Sequence, residues 1–159
     1  MMNACTDQEA RSAILEIGRR MFARQYVAAN DGNISVRTAP DRIWVTPTGV
    51  SKGYMTEDML LCVDFVDLEG RVLEGTAAPS SEMKMPLRVY RENPEVGGVV
   101  HAHPPAATSF AIARVPMDMA LLTETVFNLG VVPVAPYATP GTQEVPESIA
   151  PFCRTHNAV

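Results

Sequence analysis

Short strands joined by tight turns constrain the fold of this 159-residue chain more than any other feature. Residues 34–37 alternate as in a strand, and residues 42–46 are rich in β-forming side chains. Only the turn at Ala39-Pro40-Asp41 fits between these two segments. A parallel crossover needs about a dozen residues or more, so this short connection favours a hairpin. The pattern predicts a mixed or antiparallel sheet rather than a strictly parallel one.

Helical segments are interleaved with these strands. Thr6 and Glu9 have the spacing of a capping box, and apolar residues recur at helical spacing behind them, which predicts a helix over residues 7–28. Further helices are expected after Thr56, from Ser80 or Ser81 to just before Pro94, over residues 106–113, and up to residue 152. Further strands are expected over residues 61–66, closed by a turn at Glu69-Gly70, over residues 97–103 and over residues 131–134. The chain has no linker or repeat, so one domain over residues 1–159 is predicted.

Composition limits the classes of partner. Thirteen basic and eighteen acidic residues give a net charge of −5, which disfavours binding to nucleic acid or to an anionic membrane. No apolar run approaches the roughly 20 residues that span a bilayer, and no secretory signal is visible at the start. The three cysteines are widely spaced and odd in number, which favours a reducing cytoplasm.

The pair His101 and His103 is the strongest chemical signal. Residues two apart in a strand point to the same face, with Cα atoms roughly 6.6 Å apart, so both imidazoles could reach one divalent metal. Pro104-Pro105 ends the strand there and places the pair near a rim. Zinc is among the metals that imidazole binds. The alternative is two ordinary polar residues at the end of a strand.

Three polar turns could hold an anion. Ser80 and Ser81 precede Glu82 at a helix start, where backbone N–H groups favour anions and a carboxylate could serve as base or ligand. The same three residues also fit ordinary helix capping. The turns Asn30-Asp31-Gly32-Asn33 and Thr46-Pro47-Thr48-Gly49 could form phosphate nests, although each is also typical of a simple turn. Lys52 follows the second turn and could touch an anion, although a solvated side chain is the expectation.

Taken in order, these segments resemble the class II aldolase/adducin family. The matching segments are Gly32-Asn33-Ile34-Ser35-Val36-Arg37, Thr46-Pro47-Thr48-Gly49, Pro79-Ser80-Ser81-Glu82 and Val99-Val100-His101-Ala102-His103-Pro104, with a further loop at Pro136-Tyr137-Ala138-Thr139-Pro140-Gly141-Thr142. The resemblance implies a three-layer α/β/α domain with a central, mostly antiparallel sheet. It also implies a homotetramer with active sites at the subunit interfaces.

The resemblance assigns a role to each site residue. His101 and His103 would be zinc ligands, and Glu82 would be the catalytic acid/base and a metal ligand in the empty site. The substrate phosphate would be held by Gly32, Asn33, Thr48, Gly49, Ser80 and Ser81. The implied enzyme is a zinc-dependent lyase that cleaves a ketose 1-phosphate to dihydroxyacetone phosphate and an aldehyde by a retro-aldol reaction. The alternatives are a pentulose-phosphate 4-epimerase, a dehydratase, a decarboxylase, or a non-catalytic adducin-like assembly domain.

The chain departs from the family pattern in three places. The family takes its third zinc histidine from a segment just after residues 157–159, so the C-terminal part of the domain is expected to be missing, and His156 lies too early to replace that ligand. Pro86 stands inside a predicted helix, where it would cost about 3 kcal/mol unless the helix starts late. Residues 121–128 contain no tyrosine, so the proton donor is not identified.

Overall fold

The computed structural model describes residues 5–66 and 70–159, which contain one five-stranded sheet. The strand order is β4-β3-β2-β1-β5, and every neighbouring pair is antiparallel. The strands are β1 (Asn33–Ala39), β2 (Arg42–Val45), β3 (Leu61–Asp64), β4 (Arg71–Glu74) and β5 (Gly98–His101). The predicted hairpin is β1–β2, whereas β4 was not predicted. The turn predicted at Glu69-Gly70 includes Glu69, which lies outside the described residues.

Helices pack on both faces of the sheet. The α-helices are α1 (Asp7–Ala23), α2 (Lys84–Glu92), α3 (Pro105–Ile112), α4 (Thr123–Asn128) and α5 (Glu144–Ile149). Two short 3₁₀ helices cover Glu57–Met59 and Ala150–Phe152. The first replaces the short helix expected after Thr56, and the second extends α5 to the predicted end of the last helix. The sequence did not predict α4.

Strict alternation along the central strands divides the core into two layers. Trp44 and Cys62 pack in a cluster with α1 on one face of the sheet. Ile43 and Val63, their neighbours along the same strands, pack in a second cluster with Leu87 of α2 on the other face. Successive side chains of a strand point to opposite faces, so a strand that is apolar throughout must be covered on both. This arrangement confirms the predicted three-layer α/β/α fold.

Helix α1 is shorter than predicted, although its start is confirmed. The hydroxyl of Thr6 accepts the backbone N–H of Glu9, whose carboxylate accepts the backbone N–H of Thr6. The helix ends at Ala23 rather than at residue 28, because Gln25 takes a left-handed conformation with φ of 58°. This single residue turns the chain towards β1.

Two predicted strands also differ from the structure. The strand predicted over residues 97–103 ends at His101, because its partner β1 begins at Asn33, the residue that faces His101. His103 therefore lies beyond the strand. The strand predicted over residues 131–134 is reduced to an isolated bridge between Val132 and Met117. A strand needs a partner for its backbone N–H and C=O groups. Among the described residues, this bridge is the pairing that the segment makes.

Pro86 is accommodated by a late helix start. Because α2 begins at Lys84, Pro86 is its third residue. The first four N–H groups of a helix have no intrahelical acceptor, so the missing N–H of proline breaks no hydrogen bond there.

None of the helices in the described ranges is both long and apolar enough to cross a membrane.

Candidate functional site

The site lies where β1 begins and β5 ends. Asn33 and His101 face each other in the antiparallel register, so their side chains share one face, with Asn33 Nδ2 3.3 Å from His101 Nδ1. Gly32 precedes them with φ of 74°. A Cβ atom at Gly32 would lie 2.6 Å from the carbonyl oxygen of His101, so only glycine fits. The close approach of these two chain segments brings residues from both predicted motifs together.

The two imidazoles converge although His103 lies outside the strand. The Nε2 atoms of His101 and His103 are 3.2 Å apart, and the ring centroids are 4.9 Å apart. The backbone N–H of His103 donates to the carbonyl of Tyr26 at 2.8 Å, which fixes its position after β5. The loop before β1 therefore positions His103, which lies beyond the end of the sheet.

A carboxylate stands behind each imidazole. Glu82 Oε2 lies 3.1 Å from Nδ1 of His101, and Asp31 Oδ2 lies 3.5 Å from Nδ1 of His103. The other oxygen of Asp31 accepts the backbone N–H groups of Ala28 and Ala29 at 2.9 and 3.0 Å. A carboxylate at Nδ1 favours the tautomer with its proton on that nitrogen and leaves the Nε2 lone pair free. The Nε2 lone pair of His103 then faces Nε2 of His101 across 3.2 Å.

The electrostatics of this cluster keep His101 neutral. Burial lowers the pKa of His101 by disfavouring the imidazolium, and nearby His103 acts in the same direction, while Glu82 opposes both. Burial alone would raise the pKa of Asp31, but the backbone N–H groups of the 28–31 turn and the nearby His103 outweigh it and lower that pKa. The result is a neutral imidazole with ionised Asp31 nearby, which is the protonation state that metal binding requires.

The histidine pair fits a divalent metal as two of its ligands. Two imidazole nitrogens on one tetrahedral zinc ion, each about 2.0–2.1 Å from it, would lie roughly 3.3 Å apart. The observed Nε2 separation of 3.2 Å matches this value. Within residues 5–66 and 70–159, however, no group of three or more His, Cys, Asp and Glu side chains is arranged to hold a metal ion. The described residues therefore present two facing imidazoles and no complete set of metal ligands.

Glu82 contacts His101 at Nδ1, on the opposite side of the ring from the facing Nε2 atoms. Its side chain is about one-third exposed (33%), so a ligand in the site could reach it. The hydroxyl of Ser80 accepts the backbone N–H of Glu82 at 3.2 Å and holds the turn before α2. The predicted roles of Glu82 as base and metal ligand stay predictions.

The three polar turns lie side by side. The Thr46 hydroxyl accepts the N–H of Ile34 at 3.2 Å, which joins the second turn to the start of β1. Pro47 and Pro79 form an isolated bridge, and the N–H of Thr48 donates to Ala78 at 3.0 Å, which joins the second turn to the third. Thr48, Gly49 and Ser81 are exposed, as an anion site requires, but their role in phosphate binding also stays a prediction.

Two residues of this region have surroundings that the sequence did not predict. Asp31 was interpreted only as part of a turn, and nothing local indicates that it faces His103. Lys52 was expected to be solvated, and this expectation is wrong, because its residue is only 1% exposed. The reason lies in α1: Gly18 has no side chain, so the helix backbone can approach the carbonyl of Lys52 and cover it. Gly18, a glycine on the buried face of the predicted helix, was the feature of the sequence that could have indicated this close contact.

With this geometry in place, comparisons with known proteins define the class. Residues 12–159 match the family described as Class II Aldolase and Adducin N-terminal domain. The chain is 32% identical over 149 residues to the 3-oxo-tetronate 4-phosphate decarboxylase of Haemophilus influenzae, a match that covers 91% of this chain and 69% of that protein. It is 39% identical over 105 residues to the methylthioribulose-1-phosphate dehydratase of Granulibacter bethesdensis, covering 65% of this chain and 47% of the dehydratase.

A solved structure agrees with the fold. L-fuculose-1-phosphate aldolase from Thermus thermophilus superimposes with a TM-score of 0.77 and 33% identity, covering 92% of this chain and 71% of that one. The protein is thus an α/β/α domain with an antiparallel sheet and a histidine pair at one end of that sheet. The chain belongs to the class II aldolase and adducin family, and these relatives place it among the enzymes of that family.

Proposed function

We propose that this protein is a zinc-dependent lyase that cleaves a ketose 1-phosphate resembling L-fuculose 1-phosphate into dihydroxyacetone phosphate and an aldehyde. The observation that carries the proposal is the facing pair of Nε2 atoms 3.2 Å apart, with a carboxylate behind each ring. The polar turns beside this pair would supply the donors that a phosphate needs. Similarity to an L-fuculose-1-phosphate aldolase supports this choice of substrate.

His101 and His103 would hold the zinc ion through Nε2. A further ligand would be needed, because the described residues contain no group of three or more side chains arranged to hold a metal. When bound, zinc supplies Lewis-acid polarisation of the substrate oxygens. Asp31 would keep the proton of His103 on Nδ1 and so orient its ring. Neutral imidazoles are required for this role, which agrees with the lowered pKa of His101.

Glu82 would carry the proton at carbon. In the cleavage direction the C4 hydroxyl of the ketose gives its proton to water and C4 becomes the aldehyde carbonyl as the C3–C4 bond breaks. The electron pair of that bond stays with the dihydroxyacetone part, and C3 takes a proton from Glu82. In the reverse direction the Glu82 carboxylate removes that proton. Glu82 Oε2 lies 3.1 Å from Nδ1 of His101, so in this role the carboxylate would leave that nitrogen to reach the substrate carbon. General acid–base catalysis of this kind typically contributes about 10²–10⁴-fold.

The substrate phosphate would be fixed by the three turns. Gly32 and Asn33, Thr48 and Gly49, and the hydroxyls of Ser80 and Ser81 would donate to its oxygens. Gly49 has φ of 71° and no atom within 4 Å of the position of a Cβ, so its backbone is open to a ligand. Holding the phosphate orients the reacting carbons at Glu82, which is the main contribution of binding energy to the rate.

A second candidate is decarboxylation of a four-carbon sugar-acid phosphate. The match to the decarboxylase of Haemophilus influenzae covers 91% of this chain, more than the match to the dehydratase. Both reactions need a polarised carbonyl and a bound phosphate, so the described residues suit either. Release of carbon dioxide from 3-oxo-tetronate 4-phosphate would favour this candidate over the aldolase, and dehydratase, epimerase and non-catalytic adducin-like functions would give neither product.

The proposed assembly is a homotetramer with sites at the subunit interfaces. The chain exposes many large apolar side chains between Phe110 and Val131, including Ile112 at 78%, Leu121 at 74% and Phe127 at 83%. Exposed apolar surface of this extent marks a site of contact with other protein surface. Contact with copies of the same chain is the simplest use of it, because most soluble oligomers are symmetric homo-oligomers.

Proton exchange at carbon tests the proposed role of Glu82 without the unknown aldehyde. Wild-type protein with zinc should exchange a C3 proton of dihydroxyacetone phosphate with deuterium oxide, followed by proton NMR. Glu82→Gln keeps the shape but removes the basicity, so we expect exchange about 100-fold slower or more, with binding of dihydroxyacetone phosphate retained. Exchange at the wild-type rate would place the base elsewhere. Glu92→Gln, on the far end of α2, is the matched control.

A further inference from the structure

Lys52 is a buried lysine that the reaction does not use. Its residue is 1% exposed, and its ammonium donates to the carbonyl oxygens of Asn30 at 3.1 Å and Val50 at 2.9 Å. An ammonium has three donors and no acceptor, so it suits a place where carbonyls converge. Its two acceptors belong to different loops, and Lys52 is the group that joins them.

Both loops carry residues of the proposed site. Asn30 is followed by Asp31, which stands behind His103, and then by Gly32 and Asn33. Val50 directly follows Thr48 and Gly49. The ammonium therefore links, through main-chain carbonyls, the segment that carries Asp31, Gly32 and Asn33 to the segment that carries Thr48 and Gly49. It touches neither histidine nor the proposed phosphate position itself.

The burial of Lys52 is built into the fold. A Cβ atom at Gly18 would lie 2.5 Å from the Lys52 carbonyl, and one at Gly53 would lie 2.5 Å from the ring of Phe22, so α1 presses directly on this segment. Burial lowers the pKa of Lys52, while the negative charge of Asp31 opposes that shift. A buried ammonium is costly unless it is hydrogen-bonded, and here two carbonyls from separate segments accept its N–H groups.

We propose that Lys52 is a positioning residue that locks the 30–33 and 46–50 turns together, and thereby sets both the phosphate affinity and the orientation of His103. This inference rests on the proposed function only for its phosphate part. The orientation of His103 is a property of the chain without any ligand. The two parts can therefore be measured separately.

The experiment compares the full chain of wild type with Lys52→Met, which keeps the length of the side chain and removes its donors. Lys84→Met, which removes the other lysine of the chain, is the matched control. Calorimetry measures the dissociation constants of dihydroxyacetone phosphate and of free dihydroxyacetone. For Lys52→Met we expect at least a tenfold weaker binding of the phosphorylated ligand, with less than a twofold change for the free one. Lys84→Met should leave both values within twofold.

Nitrogen-15 NMR of the imidazole rings provides the readout without ligand or metal. In Lys52→Met the Nδ1 and Nε2 signals of His103 should shift towards the values of a free tautomer mixture, while those of His101, which Glu82 holds from another loop, stay in place. Unchanged His103 signals together with unchanged phosphate affinity in a folded variant would overturn the inference. Equal movement of both histidines would also overturn it, because that result indicates general loosening.

Folding of the variants is checked by circular dichroism. If Lys52→Met does not fold, Lys52→Gln, which keeps one uncharged donor group, takes its place, and a shift of at least threefold in phosphate affinity is expected. If wild type fails to bind dihydroxyacetone phosphate, the proposed function is wrong, and the His103 signals alone then decide the positioning role. Rescue of those signals by Lys52→Arg, which restores a cation, would support it.

Discussion

Single residues at the site take their chemistry from partners that are distant in sequence. His101 and His103 would both be ordinary polar side chains at the end of a strand without Glu82 and Asp31 at their Nδ1 atoms. A carboxylate behind a histidine fixes the tautomer and makes the other nitrogen a better ligand. The sequence left open that these are two ordinary polar residues, and the tertiary structure adds that their Nε2 atoms face each other at 3.2 Å with a carboxylate near each Nδ1.

Zinc binding should depend on both histidines. In His101→Ala or His103→Ala the zinc dissociation constant should rise at least tenfold, about 1.4 kcal/mol, because each removes one nitrogen ligand. His156→Ala is the matched control, because the contacts of its ring are with Thr155 and Phe152. Competition with a chelating dye gives the constants. A double variant with wild-type affinity would show that the metal binds elsewhere.

Cysteine reactivity should rank by burial. Burial raises the pKa of the Cys62 thiol to about 11, and the residue is fully buried, so it should stay unlabelled by a thiol reagent at pH 8 in the folded protein. Cys5 is half-buried and should react first. A raised pKa means that the folded state holds the proton more tightly. The stability contribution of Cys62 is therefore complete below its unfolded pKa of about 8.5 and is lost as pH rises towards 11.

Labelling followed by mass spectrometry reads each cysteine separately. Urea above the unfolding midpoint should make all three react at similar rates, which is the control for reagent access. Labelling of Cys62 as fast as Cys5 without urea would contradict the buried position that β3 gives it.

At the scale of secondary-structure elements, the contact of α1 with the 52–55 segment determines how the site is supported. Gly18 should not tolerate a side chain. In Gly18→Ala the new Cβ would meet the backbone carbonyl of Lys52 at 2.5 Å and Met55 Cε at 2.7 Å. Overpacking of this kind costs about 1–3 kcal/mol, against about 1 kcal/mol gained in helix propensity. We expect net destabilisation, measured by urea unfolding.

Ser12→Ala is the control for that variant, because it also places alanine in α1 but at an exposed position. It should change the free energy of unfolding by about 0.5 kcal/mol or less. If Gly18→Ala proved as stable as Ser12→Ala, the tight contact between α1 and Lys52 would not exist in solution.

At the scale of the whole molecule, the apolar residues between 110 and 131 should drive association. Wild type should sediment as a four-chain species, and the double variant Leu121→Glu, Phe127→Glu should sediment as smaller species, because charge at an apolar contact is costly. Val66→Glu, a similarly exposed apolar position just after β3, is the control. Analytical ultracentrifugation over a range of concentrations makes the measurement. Wild type that stays monomeric throughout would contradict the proposed tetramer.

Local pattern was sufficient for much of the fold. The β1–β2 hairpin, the capping box of α1 and the start of the site turns follow from neighbouring residues, and the sequence predicted them. The predictions failed where the outcome depends on a partner: β5 ends at His101 because β1 begins at Asn33, and residues 131–134 form no strand because no strand lies beside them in the described part of the chain. Strand length is a property of a pair, not of one segment.

The candidate site divides in the same way. The residue types and their order along the chain, with His101 and His103 two apart and Glu82 at a helix start, are set by the sequence alone. Only the tertiary structure joins Asn33 to His101 across 68 residues, places Asp31 behind His103, and buries Lys52 between two turns. These contacts depend on strand register and on the close approach of α1 at Gly18, both of which arise from packing between elements that are remote in sequence.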